Sequence, residues 1–89
     1  FRSHKGLAKF YKTGNASGIQ AKHVNRLKLI LSNLDQAEVP DDMDLPGLSL
    51  HKLKGSRKDI WSVTVNGNWR VTFRFSGKNT EVVNYEDYH

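Results

Sequence analysis

Between Ile60 and Phe75 the chain reads IWSVTVNGNWRVTFRF, and apolar residues hold every second position on either side of an Asn-Gly-Asn break. Trp61, Val63 and Val65 alternate with Ser62 and Thr64, and Trp69, Val71, Phe73 and Phe75 alternate with Arg70, Thr72 and Arg74. Side chains along a strand point to opposite faces in turn, so a period of two marks a hairpin of half-buried strands. The odd-numbered residues then face a core, and the even-numbered ones, arginines among them, face outward. Turn length follows from the same parity. A two-residue loop at Asn66 and Gly67 would set Val63 opposite Arg70 and mix the faces. A three-residue loop, Asn66 to Asn68, pairs Val65 with Trp69, Val63 with Val71 and Trp61 with Phe73, with Asn68 in the left-handed conformation.

The rest of the chain supplies layers for this ribbon. Ser3 can cap a first helix in which Leu7, Phe10 and Tyr11 share a face, and Gly14 stops it. After a turn at Asn15 to Gly18, a second helix is expected from about Gln20 to Leu34, with Val24, Leu27, Leu31 and Leu34 as its apolar stripe and Ile30 widening it. His23, at the edge of that stripe, reads as a partly buried structural histidine. Asp35 to Gly47 carries five acids and both prolines and reads as a solvated connecting loop; its spacing matches no calcium loop. Leu48 and Leu50 alternate with Ser49 and His51 as a strand, a basic turn runs from Lys52 to Lys58, and a last strand spans Thr80 to Tyr85. The order predicts an α+β fold: two N-terminal helices packed on one face of a mainly antiparallel sheet of four to five strands, with the other face open.

At 89 residues the chain is expected to be a single domain, residues 1–89, with a thin core. Fourteen Lys and Arg against nine Asp and Glu give a formal charge of +5, which favours polyanions and nucleic acid first among them. On the helices, Lys5, Lys9 and Lys12 are most simply a solvated face, and Lys22, Arg26 and Lys28 could serve RNA, an acidic partner or solvent alone, with solvent the first reading. Without cysteine there are no disulfides, thiol nucleophiles or thiolate zinc sites. No apolar run approaches the roughly 20 residues of a membrane-spanning helix, so no membrane partner is expected and a cytoplasmic location is.

Chemistry is expected on the open face. Arg70 and Arg74 project from a strand, His51 points opposite to Leu50, and Lys54, Arg57 and Lys58 follow in the adjoining turn. The chain ends Asp87-Tyr88-His89, three ionisable side chains in a row. RNA cleavage by attack of the ribose 2′-hydroxyl needs a base for that proton, an acid for the departing 5′-oxygen and fixed positive charge around the phosphate. His51, Asp87, Tyr88, His89, Arg70 and Lys54 supply these without a metal or other cofactor, and histidine, with an ordinary pKa of about 6.5, suits either proton-transfer role. The alternative for the last residues is a tail that merely frays.

The runs LHKLKG, WSVTVNGNWRVTFRF and NYEDYH closely resemble the HigB toxins of bacterial toxin–antitoxin pairs, a branch of the RelE/ParE superfamily. The resemblance implies a microbial-ribonuclease-like fold and a ribosome-dependent mRNA endonuclease. It places the catalytic residues at His51, Asp87, Tyr88 and His89 and phosphate contacts at Lys54 and Arg70; Arg57 and Arg74 extend the RNA-binding set. The assignment of base and acid stays open between His51 and His89. Implied partners are a HigA-like antitoxin, the ribosome with its mRNA, ribosomal RNA against the basic surface, and operator DNA only through the antitoxin. Members of the ParE branch share the fold but inhibit DNA gyrase, which needs no proton-transfer groups; a basic interaction module without activity is a third reading.

Overall fold

A computed structural model of the chain describes residues 5–55, 59–77 and 79–87. Helix α1, Lys5–Thr13, buries Leu7 and Phe10 and leaves Tyr11 more than a third exposed, its hydroxyl donating to Asp35 at 3.2 Å. Gly14, with φ +75°, ends the helix and donates its amide to the Phe10 carbonyl. The expected cap at Ser3 lies outside the described residues.

The second helical segment begins as a 3-10 turn, Ala21–His23, and becomes helix α2, Val24–Gln36. Leu27, Ile30, Leu31 and Leu34 are fully buried, the i, i+3, i+4, i+7 spacing that puts one stripe on the sheet. Removing each such side chain from water is worth about 1.5–3 kcal/mol, so this stripe is the main adhesive of the helical layer. Val24 only borders the core, and His23, expected to be partly buried, is wholly enclosed.

The acidic connection is more ordered than its composition suggested. Pro40–Met43 forms a 3-10 turn in which the Asp42 carboxylate accepts the amides of Glu38 at 2.9 Å and Val39 at 3.2 Å. Those two donors hold Asp42 below the usual carboxylate pKa. The turn drives Met43 into the core beside Leu48, both fully buried, so the segment is a plug as well as a linker.

The sheet is antiparallel with strands in the order β1-β2-β3-β4: His51–Lys52, Trp61–Asn66, Trp69–Ser76 and Asn79–Asp87. Trp61 pairs with Phe73 and Val63 with Val71, as parity requires, but Trp69 pairs with Asn66 and not with Val65. Val65 is the extra residue of a β-bulge, which lets a two-residue Gly67-Asn68 turn close the hairpin without turning its apolar side outward. Gly67, with φ +55°, takes the left-handed position expected of Asn68, because a residue without Cβ does so at least cost. The last strand runs two residues past Tyr85. It carries its own bulge at Val83, where Thr72 pairs with Asn84 and Phe73 with Val82.

The core lies between α1, α2 and the sheet, around Leu7, Phe10, the α2 stripe, Val63, Val71, Phe73 and Val82. The opposite face is not open at its centre. Ser62 and Thr72, on the even-numbered side, are fully buried; Thr72 Oγ1 donates to the Asn84 carbonyl at 3.4 Å.

Candidate active site

β1 is only two residues long, yet its pairing with β2 extends on both sides: the Leu53 amide donates to the Ile60 carbonyl, and the Thr64 amide to the Leu48 carbonyl at 2.7 Å. From the Leu48–Thr64 bond to the His51–Ser62 pair, one chain advances by three residues and the other by two. The extra residue falls at Ser49, which sits at φ +50° and is the one non-glycine with positive φ among the described residues. This bulge is why the expected strand from Leu48 shrinks to His51–Lys52. Leu48 and Leu50 nonetheless stay with the core.

His51 emerges from this bulge exposed, at the head of a row across the sheet formed by Ser62, Thr72 and Asn84. Its Nδ1 lies 3.4 Å from the Ser49 carbonyl oxygen. Ser62 Oγ, its neighbour in the row, is buried without a hydrogen-bond partner among the described residues. Lys54 follows on the exposed surface. Lys52, turned to the other side of the strand, holds its ammonium 5.8 Å from the centre of the half-buried Trp61 ring, a cation–π distance. Together with Pro40, Asp59, Arg74 and Phe75 these two line an open groove of about 350 Å³.

The next row of the same face holds Thr64, Arg70 and Glu86. Arg70 Nη1 donates to the Gly67 carbonyl at 2.7 Å and to the Trp69 carbonyl at 3.2 Å, which braces the guanidinium over the hairpin turn. Asn84 Nδ2 donates to Glu86 Oε2 at 3.0 Å. Glu86 was not among the expected site residues, although alternation about the core-facing Tyr85 would have placed it there. Arg74 lies at the far end of β3, and its Nε and Nη2 both reach Glu81 Oε1, at 2.7 and 2.5 Å. A carboxylate therefore already answers much of its charge.

Asp87 closes β4 opposite Trp69 and is exposed. It and His51 occupy opposite edge strands, three interstrand steps of roughly 4.8 Å apart. Paired with Trp69 and one residue beyond Glu86, Asp87 turns to the helix side of the sheet, so the two groups stand at opposite edges and on opposite faces and are not brought into contact. Arg57, Tyr88 and His89 lie outside the described residues. Among the described residues no group of three or more His, Asp or Glu is placed to hold a metal ion, and no helix is long and apolar enough to cross a membrane.

Beneath the end of β4 the helix side is anchored. His23 Nδ1 is 2.6 Å from Tyr85 Oη, and the His23, Trp69 and Tyr85 rings meet at centroid distances of 4.7 to 5.9 Å. Burial lowers the His23 pKa, with Lys22 adding repulsion, and burial raises that of the Tyr85 phenol. This cluster holds the strand from which Glu86 projects to the other face.

The family model described as the RelE-like toxin of the type II toxin–antitoxin system HigB matches residues 1–89. The chain is 41% identical over 86 residues to a Proteus vulgaris protein named Endoribonuclease HigB, covering 97% of this chain and 94% of that one. Its fold is similar to that of a YoeB/ParE toxin from Agrobacterium tumefaciens, with a TM-score of 0.67 at 17% identity, covering 99% of this chain and 96% of that one. With a model that matches end to end and a relative this similar, the chain belongs to the HigB-like family of RelE-like toxins of type II toxin–antitoxin systems.

Proposed function

We propose that this toxin is an endoribonuclease that cuts mRNA on the ribosome, by attack of a ribose 2′-hydroxyl on the adjacent phosphate. The observation that carries the reading is the 41% identity, over nearly the whole chain, to a protein named as an endoribonuclease. The geometry supports it. In-line displacement puts the entering 2′-oxygen and the leaving 5′-oxygen on opposite sides of phosphorus, so base and acid must approach from two directions. His51 stands on one edge strand and β4 is the other, and the reading draws the second group from the residues with which the sequence continues, Tyr88 and His89. One histidine removes the 2′-hydroxyl proton, the other supplies the proton to the leaving oxygen, Asp87 favours the charged imidazolium, and Tyr88 stacks on a base.

Positive charge for the phosphate comes from Lys54 and Arg70, with Arg57 and Arg74 reaching along the flanking RNA. Arg70 keeps donors beyond the Nη1 that braces its turn, and Arg74 serves the periphery because Glu81 holds it. Such a shallow face has little with which to orient a free strand; the ribosome supplies that orientation and aligns the nucleophile. A cognate HigA-like antitoxin neutralises the toxin and carries any contact with operator DNA.

Toeprinting on translating ribosomes tests this, with wild type beside His51→Ala and His89→Ala and naked mRNA as control. Codon-registered cuts that require ribosomes and vanish in both variants are expected. Intact message in every lane would refute it and direct attention to gyrase supercoiling.

A further inference from the structure

Ser49 carries a conformation that its residue type does not explain. The left-handed region is populated mainly by glycine, asparagine and aspartate, and a serine there must be held by its surroundings. Here it is held from both sides. Leu48, fully buried, fixes the preceding carbonyl on the Thr64 amide, and two residues later His51 is locked in register with Ser62. Bulges of this kind re-aim a side chain, and outliers of this kind cluster where geometry matters to function. The Ser49 carbonyl is left facing the ring of His51, with Nδ1 at 3.4 Å.

A carbonyl oxygen can only accept a hydrogen bond. The nitrogen facing it must carry the proton, and a neutral imidazole has only one N–H, so Nε2 is left with a bare lone pair. We propose that Ser49 is a positioning residue: its left-handed bulge fixes His51 in the Nδ1–H tautomer and presents Nε2 to the substrate as the proton acceptor. The proposal rests on the reading of His51 as a proton-transfer group, and it assigns the base to His51 and the acid to the C-terminal end. Ser49 needs no contact with RNA for this. Its contribution runs through its backbone, so the hydroxyl is dispensable and the positive φ is not.

The test measures the tautomer directly. Nitrogen-15 shifts of the His51 ring, assigned with His51→Ala and recorded well above the ordinary histidine pKa of about 6.5, distinguish a protonated from a bare nitrogen at each position. Wild type is expected to show Nδ1–H with Nε2 bare. Ser49→Val, whose branched side chain resists a positive φ, is expected to revert to the Nε2–H form that free histidine favours. Its kcat for ribosomal cleavage should fall on the order of tenfold or more, as base catalysis is worth about 10²–10⁴, with KM little changed. Ser49→Gly, which adopts the same φ freely, should restore both tautomer and kcat. An Nε2–H tautomer in wild type would overturn the proposal whether or not any variant folds, and so would an unchanged tautomer in a folded Ser49→Val. Full cleavage by His51→Ala would instead overturn the catalytic reading of His51, and Ser49's part in catalysis with it, while the ring shifts keep the two failures distinct.

Discussion

Acid should weaken this protein through the buried imidazole of His23. His23 is fully enclosed, its Nε2 has no partner among the described residues, and its Nδ1 is engaged with Tyr85. A second proton would have to enter an apolar contact with Trp69 and Tyr85, and burial lowers the pKa accordingly. Because the folded-state pKa lies below the unfolded value near 6.5, the unfolded chain takes up the proton first, and stability falls as pH drops below that value. One proton sets a limit of about 1.4 kcal/mol per pH unit. Integrated from about pH 7.5 to 5.5, the loss is at most ~1.4 kcal/mol, or about 1 M in urea midpoint for a small domain. Urea titrations across that window should show this slope in wild type. In His23→Asn, which keeps a polar group for the Tyr85 hydroxyl but cannot titrate, the curve should sit lower throughout and be flatter by the same amount. Equal slopes in the two proteins would refute the argument. The amide-held Asp42 does not blur the result: its folded-state pKa is lowered, so its contribution persists until pH falls below the ordinary aspartate value of about 3.9.

Two substitutions probe the packing. Phe73→Ala removes a fully buried ring that meets Phe75 edge-on at 6.0 Å; chemical denaturation should show a loss of about 3–5 kcal/mol, and distinctly less for Trp61→Ala because that ring is only half-buried. Gly47→Ala places a Cβ 3.2 Å from the Arg26 guanidinium at a backbone φ of +83°, and should cost about 1–2 kcal/mol from the left-handed conformation alone. A neutral or stabilising Gly47→Ala would mean that residue 47 does not hold the left-handed conformation.

What the sequence showed, and what it hid, divides along the β-bulges. Alternation from Trp61 to Phe75 carried the hairpin and its core face, and the α2 stripe carried the helical layer, because both are periodic and periodicity survives in composition. A bulge adds one residue without altering the residue types around it, so nothing in the pattern announces it. Each strand pairing in this sheet has one: at Ser49 between β1 and β2, at Val65 between β2 and β3, and at Val83 between β3 and β4. The first turns a nominal strand into a bend that aims His51; the second moves the left-handed turn position from Asn68 to Gly67. Past the third, Asn84 and Glu86 share a face with Arg70 and Thr72, while Tyr85 goes to the helix side to meet His23. Motifs therefore named candidate residues at both edges of the sheet, but which of their neighbours share that face depended on register. Without the extra residue at Val83, the regular pairing of Phe73 with Val82 would carry on to Thr72 with Val83 and Val71 with Asn84. Asn84 and Glu86 would then turn to the helix side and Tyr85 away from His23, so the bulge sets both the polar face and the anchor beneath it.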